Sequence, residues 1–263
     1  MSRTLKLTIA YDGTNYAGWQ RQANALTIQQ VIEDELAAII GAARPLTAAG
    51  RTDAGVHAAA QVASVTIDHH ITNDDLLRAL NARIRGGDIR ILSIDDVPQG
   101  FHARNHTRGK TYRYAIWNGP HPSPFVRHLV WHVPQALDVP RMQRAADVLL
   151  GEQDFVAFQG SGSDVITTVR TVRSARVANL DRGDGVFLSA FDGAGAGGRL
   201  LLFEIEGSGF LRHMVRTIAG TLVDIGRGWM EPGEMRAIID SKDRARAGQT
   251  APAQGLMLWT VQY

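Results

Sequence analysis

The chain has 263 residues, which exceeds the usual span of a single hydrophobic core, so we expect two domains or one fold built twice. It contains no cysteine, which excludes disulfides, thiolate nucleophiles, cysteine zinc sites and iron–sulfur clusters, and its formal net charge is only +2. No run approaches the roughly 18 apolar residues of a membrane helix, and no signal-peptide core is present, so we expect a soluble, cytoplasmic protein without a membrane partner.

Basic charge is concentrated in three segments that contain no acidic residue. The longest lies between Asp96 and Asp138 and also holds five histidines. The bases of the three segments are Arg104, Arg108, Lys110, Arg113 and Arg127, then Arg170, Arg173 and Arg176, then Arg212 and Arg216. We interpret these segments as a groove for a polyanion, although solvated faces balanced by acids elsewhere would have the same pattern.

The first half of the chain predicts strands and helices in alternation. Residues 4–11 alternate apolar and polar side chains and run into a turn, and Thr27 with Gln30 forms a capping box at the start of a helix. A loop rich in glycine and alanine leads to a strand over residues 61–67, Asn73 caps a second helix, and residues 88–94 form the next strand. The predicted apolar helix positions are Ile28, Val31, Ile32, Leu36 and Ile39, then Leu77, Leu80 and Ile84. This order is the split βαβ arrangement.

The second half repeats this order loosely, which suggests a pseudo-duplication. Strands are predicted over residues 110–117, 168–177, 186–191, 200–206 and 256–263, and helices over residues 138–150, 210–225 and 232–242. The long helix has Leu211, Val215, Ile218, Leu222 and Ile225 on its core face. A glycine-rich loop over residues 193–198 joins two of the strands.

Three other kinds of site are disfavoured, because each lacks a residue or a local structure that it requires. Residues 109–111 resemble the end of a phosphate-binding loop, but Arg104 stands where that loop needs glycine, so we expect no nucleotide cofactor. Two histidine pairs have metal-ligand spacing for a helix, yet both lie in segments that are not helical, so no metal site is predicted; they are His102 with His106 and His128 with His132. A serine hydrolase is disfavoured because no G-x-S-x-G elbow is present.

Residues 50–58, GRTDAGVHA, form the most informative segment. Asp53 lies among small residues, with Arg51 two positions before it and His57 four positions after it. Small neighbours allow a substrate to approach closely, which makes Asp53 a candidate nucleophile; a structural Asx-turn is the alternative. No second carboxylate or metal ligand lies nearby in sequence, which disfavours a two-carboxylate glycosidase and favours a single covalent nucleophile.

This segment resembles the catalytic signature of the tRNA pseudouridine synthase A family, and further motifs occur in the family's order. They are residues 11–20 at the opening, 101–104 (FHAR) and 110–114 (KTYRY) in the centre, 210–216 (FLRHMVR) on the long helix and 251–256 at the close. The resemblance covers essentially the whole chain, and the loop over residues 193–198 looks like an insertion. The fold class expected for the chain is α+β, with two ferredoxin-like (split βαβ) halves related by pseudo-duplication. We expect a mixed or antiparallel sheet with helices on one side and a central active-site cleft.

The expected halves are residues 1–105, carrying the Asp53 loop, and residues 106–263, carrying an active-site tyrosine and arginine. The resemblance implies isomerisation of uridine to pseudouridine without a cofactor. Asp53 is then the catalytic carboxylate, which attacks C1′, attacks C6 or assists loss of the 2′-proton. Arg216, about 140° around the predicted helix from Leu211, is its expected ionic partner. Tyr112 is expected to stack on the uracil ring, with removal of the C5 proton as a second role.

The resemblance also implies substrate contacts from several other residues. Either Leu256 or Leu258 would wall the pocket against water, and Arg51 would hold an RNA phosphate instead of taking part in the chemistry. The remaining expected substrate-binding residues are His57, Arg104 and Arg212. Ordinary sheet packing is the alternative for Tyr112 and for the two leucines.

Members of this family act at positions 38, 39 and 40 of the tRNA anticodon stem-loop and form homodimers, so tRNA and a second copy of the chain are the expected partners. The target nucleotide must leave its stack to reach a buried carboxylate. Two other functions stay open from the residues alone: a non-catalytic RNA-binding protein on the same fold, and a hydrolase of nucleosides or sugars. Changing Asp53 to Asn distinguishes the first of them, because binding alone would not need the carboxylate.

Overall fold

The computed structural model describes residues 2–122, 124–162, 165–180 and 197–263. Within these ranges the chain forms ten strands and five α-helices, which confirms a mixed α+β class. It divides into two compact units, namely Met1–Lys110 with Met257–Tyr263 (unit 1) and Thr111–Leu256 (unit 2). This division differs from the predicted one at residue 105, because the final strand belongs to the first unit.

Among the described residues, no helix combines the length and the apolar character that crossing a membrane requires.

Unit 1 contains a sheet and two helices. The elements are β1 (Arg3–Tyr11), α1 (Ile28–Ile40), β2 (Thr47–Ala48), β3 (His57–Ile67), α2 (Asn73–Arg83), β4 (Ile89–Val97) and β10 (Leu256–Gln262). The sheet order is β4-β1-β3-β10, and the short β2 also pairs with β3. β1 is antiparallel to both of its neighbours, whereas β10 runs parallel to β3.

The core of unit 1 follows from the predicted periodicities. Leu5, Leu7 and Ile9 alternate along β1 and are fully buried, as expected for a strand with one covered face. Helix α1 buries Ile28, Ile32 and Leu36 completely. The Thr27 side chain accepts a hydrogen bond from Gln30 N, which confirms the predicted cap, and the helix ends at Gly41 in the left-handed conformation.

Three predictions in unit 1 were wrong in detail. The cap of α2 is Thr72 instead of Asn73, because the Thr72 hydroxyl is the group that accepts from Asp75 N. The register of α2 shifts accordingly, so that Leu76 is fully buried and Leu77 only half-buried. β3 begins at His57, four residues before the predicted start, which brings the end of the GRTDAGVHA segment into the sheet.

Unit 2 contains the other described strands and helices. Its elements are β5 (Gly109–Asn118), β6 (Trp131–Val133), α3 (Val139–Asp147), β7 (Gly151–Asp154), β8 (Val169–Asn179), β9 (Arg199–Gly207), α4 (Met214–Gly226) and α5 (Glu234–Ser241). The strand order is β5-β9-β8-β7, and β6 runs parallel to β5. The strand predicted over residues 186–191 and most of the loop predicted over residues 193–198 lie outside the described residues.

Helix α4 forms the centre of unit 2, and its predicted core face is confirmed. Val215, Ile218, Leu222 and Ile225 are buried. The predicted start at residue 210 was wrong, because His213 adopts a left-handed φ of 62° and the helix begins only at Met214. Leu211 therefore lies outside the helix, and the helical angle expected between it and Arg216 does not apply.

The other helix ends of unit 2 also differ from the prediction. Helix α3 stops at Asp147 although its pattern predicts residue 150, and Asp138 is its cap, accepting from Arg141 N. The predicted helix over residues 232–242 contracts to α5. The short strands β2, β6 and β7 were missed altogether, because two to four residues carry too little periodicity to register as a strand.

Candidate active site

Asp53 lies on a tight turn that leads into β3. Val56 N donates to Asp53 O at 3.1 Å, and Gly55 has a positive φ of 76°. Arg51 is exposed, Thr52 is buried and Asp53 is half-buried, so the turn presents its guanidinium and carboxylate while the side chain between them points inward. The carboxylate predicted to be catalytic is thus accessible on a loop that is anchored through Thr52.

The segment after β1 holds this turn by its backbone. Trp19 N donates to Thr52 O at 3.1 Å, and Gly55 N donates to Tyr16 O at 3.3 Å. A Cβ atom added at Gly18 would lie 2.6 Å from Thr52 O and 3.0 Å from the carbonyl carbon of Asp53, and one added at Gly13 would overlap Val56 O. Both glycines are therefore required by close approach to the Asp53 turn, a role that the sequence analysis missed. The sequence signal that could have indicated this role is the presence of two glycines in the turn region after the first strand.

A buried polar cluster supports the same turn from the sheet. The hydroxyls of Tyr11 and Thr52 lie 2.8 Å apart, and Gln61 Nε2 donates to Gly50 O at 2.9 Å and to the Tyr11 hydroxyl oxygen at 3.4 Å. Burial raises the pKa of Tyr11 to about 12, so its hydroxyl stays protonated at neutral pH. None of these three side chains was a predicted site residue.

His57, predicted to bind substrate, has a buried ring with 2% of its side chain exposed. Gly13 N donates to His57 Nδ1 at 3.1 Å, and the same nitrogen lies 3.0 Å from Asp12 Oδ1. Burial raises the pKa of Asp12, but hydrogen bonds from the Thr14 hydroxyl and backbone N–H outweigh it, so this pKa lies below its ordinary value. In this structure His57 fastens the segment that carries Gly13 to the start of β3.

Arg104 is exposed at the tip of a separate turn in unit 1. His102 Nδ1 accepts from the backbone N–H groups of Arg104 and Asn105, both at 3.3 Å, and His106 Nδ1 accepts from His102 N at 3.2 Å. These two histidines, whose spacing suits a metal site in a helix, instead brace the turn that presents Arg104 to solvent. On β10, Leu258 pairs in register with Ala58 and is fully buried.

The predicted residues of unit 2 lie on β5, on α4 and the residues just before it, and in the closing motif over residues 251–256. The Tyr112 ring is 8% exposed and meets Phe210 edge to face at a centroid distance of 5.2 Å. Arg216 Nε donates to Ala251 O at 2.8 Å, which ties α4 to the closing motif, whose Leu256 is buried. Arg212 is exposed and donates to Ser161 O at 2.8 Å.

Tyr114 is the neighbouring aromatic of β5 and packs against the closing motif. Its hydroxyl donates to Pro252 O at 2.8 Å, and a Cβ at Gly255 would lie 2.6 Å from its ring. Burial raises the pKa of Tyr114 above its ordinary value, while the charge of Arg216 lowers it by less. Tyr114 is therefore a buried, neutral support for the motif that Arg216 also holds.

The chain is similar to known proteins over nearly its whole length. The family model for tRNA pseudouridine synthase matches residues 7–104 and 145–263, a range that contains Asp53 and Arg216 and leaves out Tyr112. tRNA pseudouridine synthase A of Acetivibrio thermocellus is 44% identical over 261 residues, covering 99% of this chain and 100% of that protein. The proteins of the same name from Pelobacter propionicus and Ruminiclostridium cellulolyticum are 43% and 42% identical with the same coverage. These matches confirm the resemblance, and the chain belongs to the tRNA pseudouridine synthase family.

Proposed function

We propose that this protein isomerises uridine to pseudouridine at positions 38, 39 and 40 of the tRNA anticodon stem-loop. The observation that carries the proposal is the Asp53 turn, in a chain that belongs to this family. The turn presents a half-buried Asp53 on a loop that backbone hydrogen bonds to Tyr16 and Trp19 hold in place. The reaction breaks the N1–C1′ bond, turns the uracil and joins C5 to C1′. The C5 proton leaves and N1 gains a proton, so atoms and charge balance without a cofactor or redox partner.

In this proposal Asp53 is the catalytic carboxylate, acting at C1′, at C6 or on the 2′-proton. It must stay ionised in a site that excludes water, and the guanidinium of Arg216 would favour the ionised form. Tyr112 would stack on the uracil and is the candidate base for the C5 proton. Its edge-to-face contact with Phe210 supports this role, because it fixes the plane of the ring.

The proposed substrate contacts divide into phosphate and base contacts. Arg51, Arg104 and Arg212 are exposed residues whose guanidiniums suit RNA phosphates. The backbone of Arg104 and the guanidinium of Arg212 are held by hydrogen bonds within their own units. Leu256 and Leu258 would exclude water from the flipped base, and His57 would act on substrate indirectly by fixing the Gly13 segment. We propose a cytoplasmic homodimer as the working form.

We further propose that the two units descend from one ferredoxin-like unit. In unit 1, β1, α1, β2, β3, α2 and β4 follow one another, and the sheet order is β4-β1-β3 with β2 on β3. The order β5-β9-β8 in unit 2 repeats β1-β3-β2, with α3 after its first strand. This correspondence supports duplication of a split βαβ unit.

The test measures tritium release from tRNA transcripts that carry 5-tritiated uridine. Wild-type protein should release tritium, and Asp53→Asn should release none while binding tRNA equally well. Asp240→Asn, which removes an exposed carboxylate paired with Arg236 at 3.9 Å, is the matched control and should behave as wild type. Tight binding without release from any tRNA would overturn the proposal in favour of a non-catalytic RNA-binding protein, and liberated free uracil would indicate a hydrolase.

A further inference from the structure

We infer that Tyr11, Thr52 and Gln61 form an ordered hydrogen-bond relay whose task is to position Asp53 for reaction, an inference that rests on the catalytic role proposed for Asp53. All three are buried, with exposed fractions of 4%, 7% and 0%. They come from β1, from the Asp53 loop and from β3, so the relay joins two strands of unit 1 to the residue directly before the carboxylate.

The Gln61 amide fixes the direction of two hydrogen bonds in the relay. Gln61 Oε1 accepts from Val62 N at 3.2 Å, which identifies the other terminal atom as the nitrogen. One amide hydrogen is directed to Gly50 O at 2.9 Å, and the second is directed to the Tyr11 oxygen at 3.4 Å. The hydroxyls of Tyr11 and Thr52 lie 2.8 Å apart, and either of them can donate to the other. The relay therefore connects Gln61 to Thr52 through Tyr11.

The relay holds the loop on both sides of Arg51. Gln61 binds the carbonyl of Gly50, and Tyr11 binds the side chain of Thr52, while Trp19 N holds the Thr52 carbonyl at 3.1 Å. Thr52 is thus fixed through its side chain and its backbone at once. Since the next atoms along the chain belong to Asp53, the relay sets the direction in which the carboxylate leaves the loop.

The path of β3 is irregular beside this contact. The pairing of β1 with β3 changes register between Ile9 and Tyr11, and the strand realigns with Tyr11 opposite Ala58. A bulge of this kind redirects the side chains that follow it and is common beside active sites. Tyr11 continues the alternation of Leu5, Leu7 and Ile9 along β1. The extra residue lies in β3, where a step of three residues from Ala58 to Gln61 opposes a step of two on β1, directly after the Asp53 turn.

A purely structural role would lower stability without a specific effect on turnover, so the test compares hydroxyl deletions inside and outside the relay. Tyr11→Phe and Thr52→Val each remove one relay hydroxyl, and Thr52→Ser retains it. Thr4→Val is the matched control on the same strand, because Thr4 is 5% exposed and its hydroxyl bonds only that of Thr66 among the described contacts, at 3.2 Å. Urea midpoints are measured for all variants, together with kcat and KM for pseudouridine formation in tRNA.

We expect Tyr11→Phe and Thr52→Val to lower kcat by about 10- to 100-fold with KM for tRNA unchanged, since displacement of a reacting group by about 1 Å costs up to about 100-fold. Thr52→Ser should recover most of the loss, and Thr4→Val should keep wild-type kcat at a similar change in urea midpoint. If Thr52→Val does not fold, Tyr11→Phe carries the test. The relay is overturned when the relay variants lose no more kcat than Thr4→Val, or when the loss is confined to KM.

Asp53→Asn is measured in the same series and keeps the two proposals apart. An inactive Asp53→Asn with fully active relay variants would overturn the relay alone. An Asp53→Asn protein that retains wild-type kcat would overturn the catalytic role of Asp53, and with it the basis of the relay.

Discussion

Gly18→Ala is predicted to damage turnover by pushing the Asp53 turn out of place. The added Cβ would lie 2.6 Å from Thr52 O, 3.0 Å from Asp53 C and 3.1 Å from Ala54 N, so all three of the nearest atoms belong to the turn. Real Cβ contacts essentially never fall below 3.0 Å, and the turn must therefore retreat by about 0.4 Å or more. If 1 Å of misplacement costs up to about 100-fold, a shift of this size costs about tenfold in kcat.

The substitution also carries a backbone cost that has to be separated from the displacement. Gly18 has a φ of +89°, and a left-handed residue with a Cβ costs roughly 1–2 kcal/mol. Gly41 supplies the control, because its φ is +71° at the end of α1 and an added Cβ meets nothing within 4 Å. Gly41→Ala should thus lose a similar free energy of unfolding and keep its kcat.

The assay is tritium release at saturating tRNA, combined with urea unfolding of both variants. The reasoning predicts comparable urea midpoints and a kcat for Gly18→Ala about tenfold below that of Gly41→Ala. Equal kcat values in two folded variants would refute it, since the turn would then tolerate the displacement that the Cβ imposes.

Three further predictions concern stability. Thr27→Ala should cost about 1 kcal/mol in unfolding free energy by urea denaturation, because the first turn of α1 loses its cap. Leu36→Ala should cost about 2–5 kcal/mol in the same assay, because a fully buried side chain leaves a cavity. Asp154→Asn should lower the urea midpoint near pH 7. The difference in urea midpoint between this variant and wild type should become smaller as the pH falls below about 3.9. The Thr168 hydroxyl and Lys242 hold the pKa of Asp154 below its ordinary value, so the stability it contributes is present above the unfolded-state pKa and lost on acidification. A difference in urea midpoint that grows in acid would contradict the stabilising role of ionised Asp154.

Local signals predicted well where they decide the structure alone. Thr27 marks the start of α1 because capping acts within one turn. The start of α4 could not be predicted in this way, since residues 210–213 are helix-compatible in sequence. His213 takes a left-handed φ and its ring packs against Gly160, where an added Cβ would overlap the ring. A contact between distant segments therefore sets the start of the helix.

The same distinction applies to the candidate site. Asp53 was identified from a nine-residue motif, which the chain displays contiguously. The residues that hold it were not identified, because Gly18, Tyr11 and Gln61 act through contacts with partners 11 to 50 positions away. Burial of Gln61 is invisible to a polarity pattern, which places a glutamine on the surface by default.

The membership of β10 in unit 1 has a consequence for biosynthesis. Residues Met257–Tyr263 leave the ribosome after all of unit 2. Yet Met257 and Leu258 pair with His57 and Ala58 directly after the Asp53 turn, and the Tyr263 hydroxyl donates to Ala103 O at 2.8 Å. Unit 1 therefore cannot add β10 to its strands while unit 2 is still being translated. A nascent chain released early would lack this strand beside the Asp53 turn, so truncated products are expected to be inactive and open to proteolysis at an unpaired edge of β3.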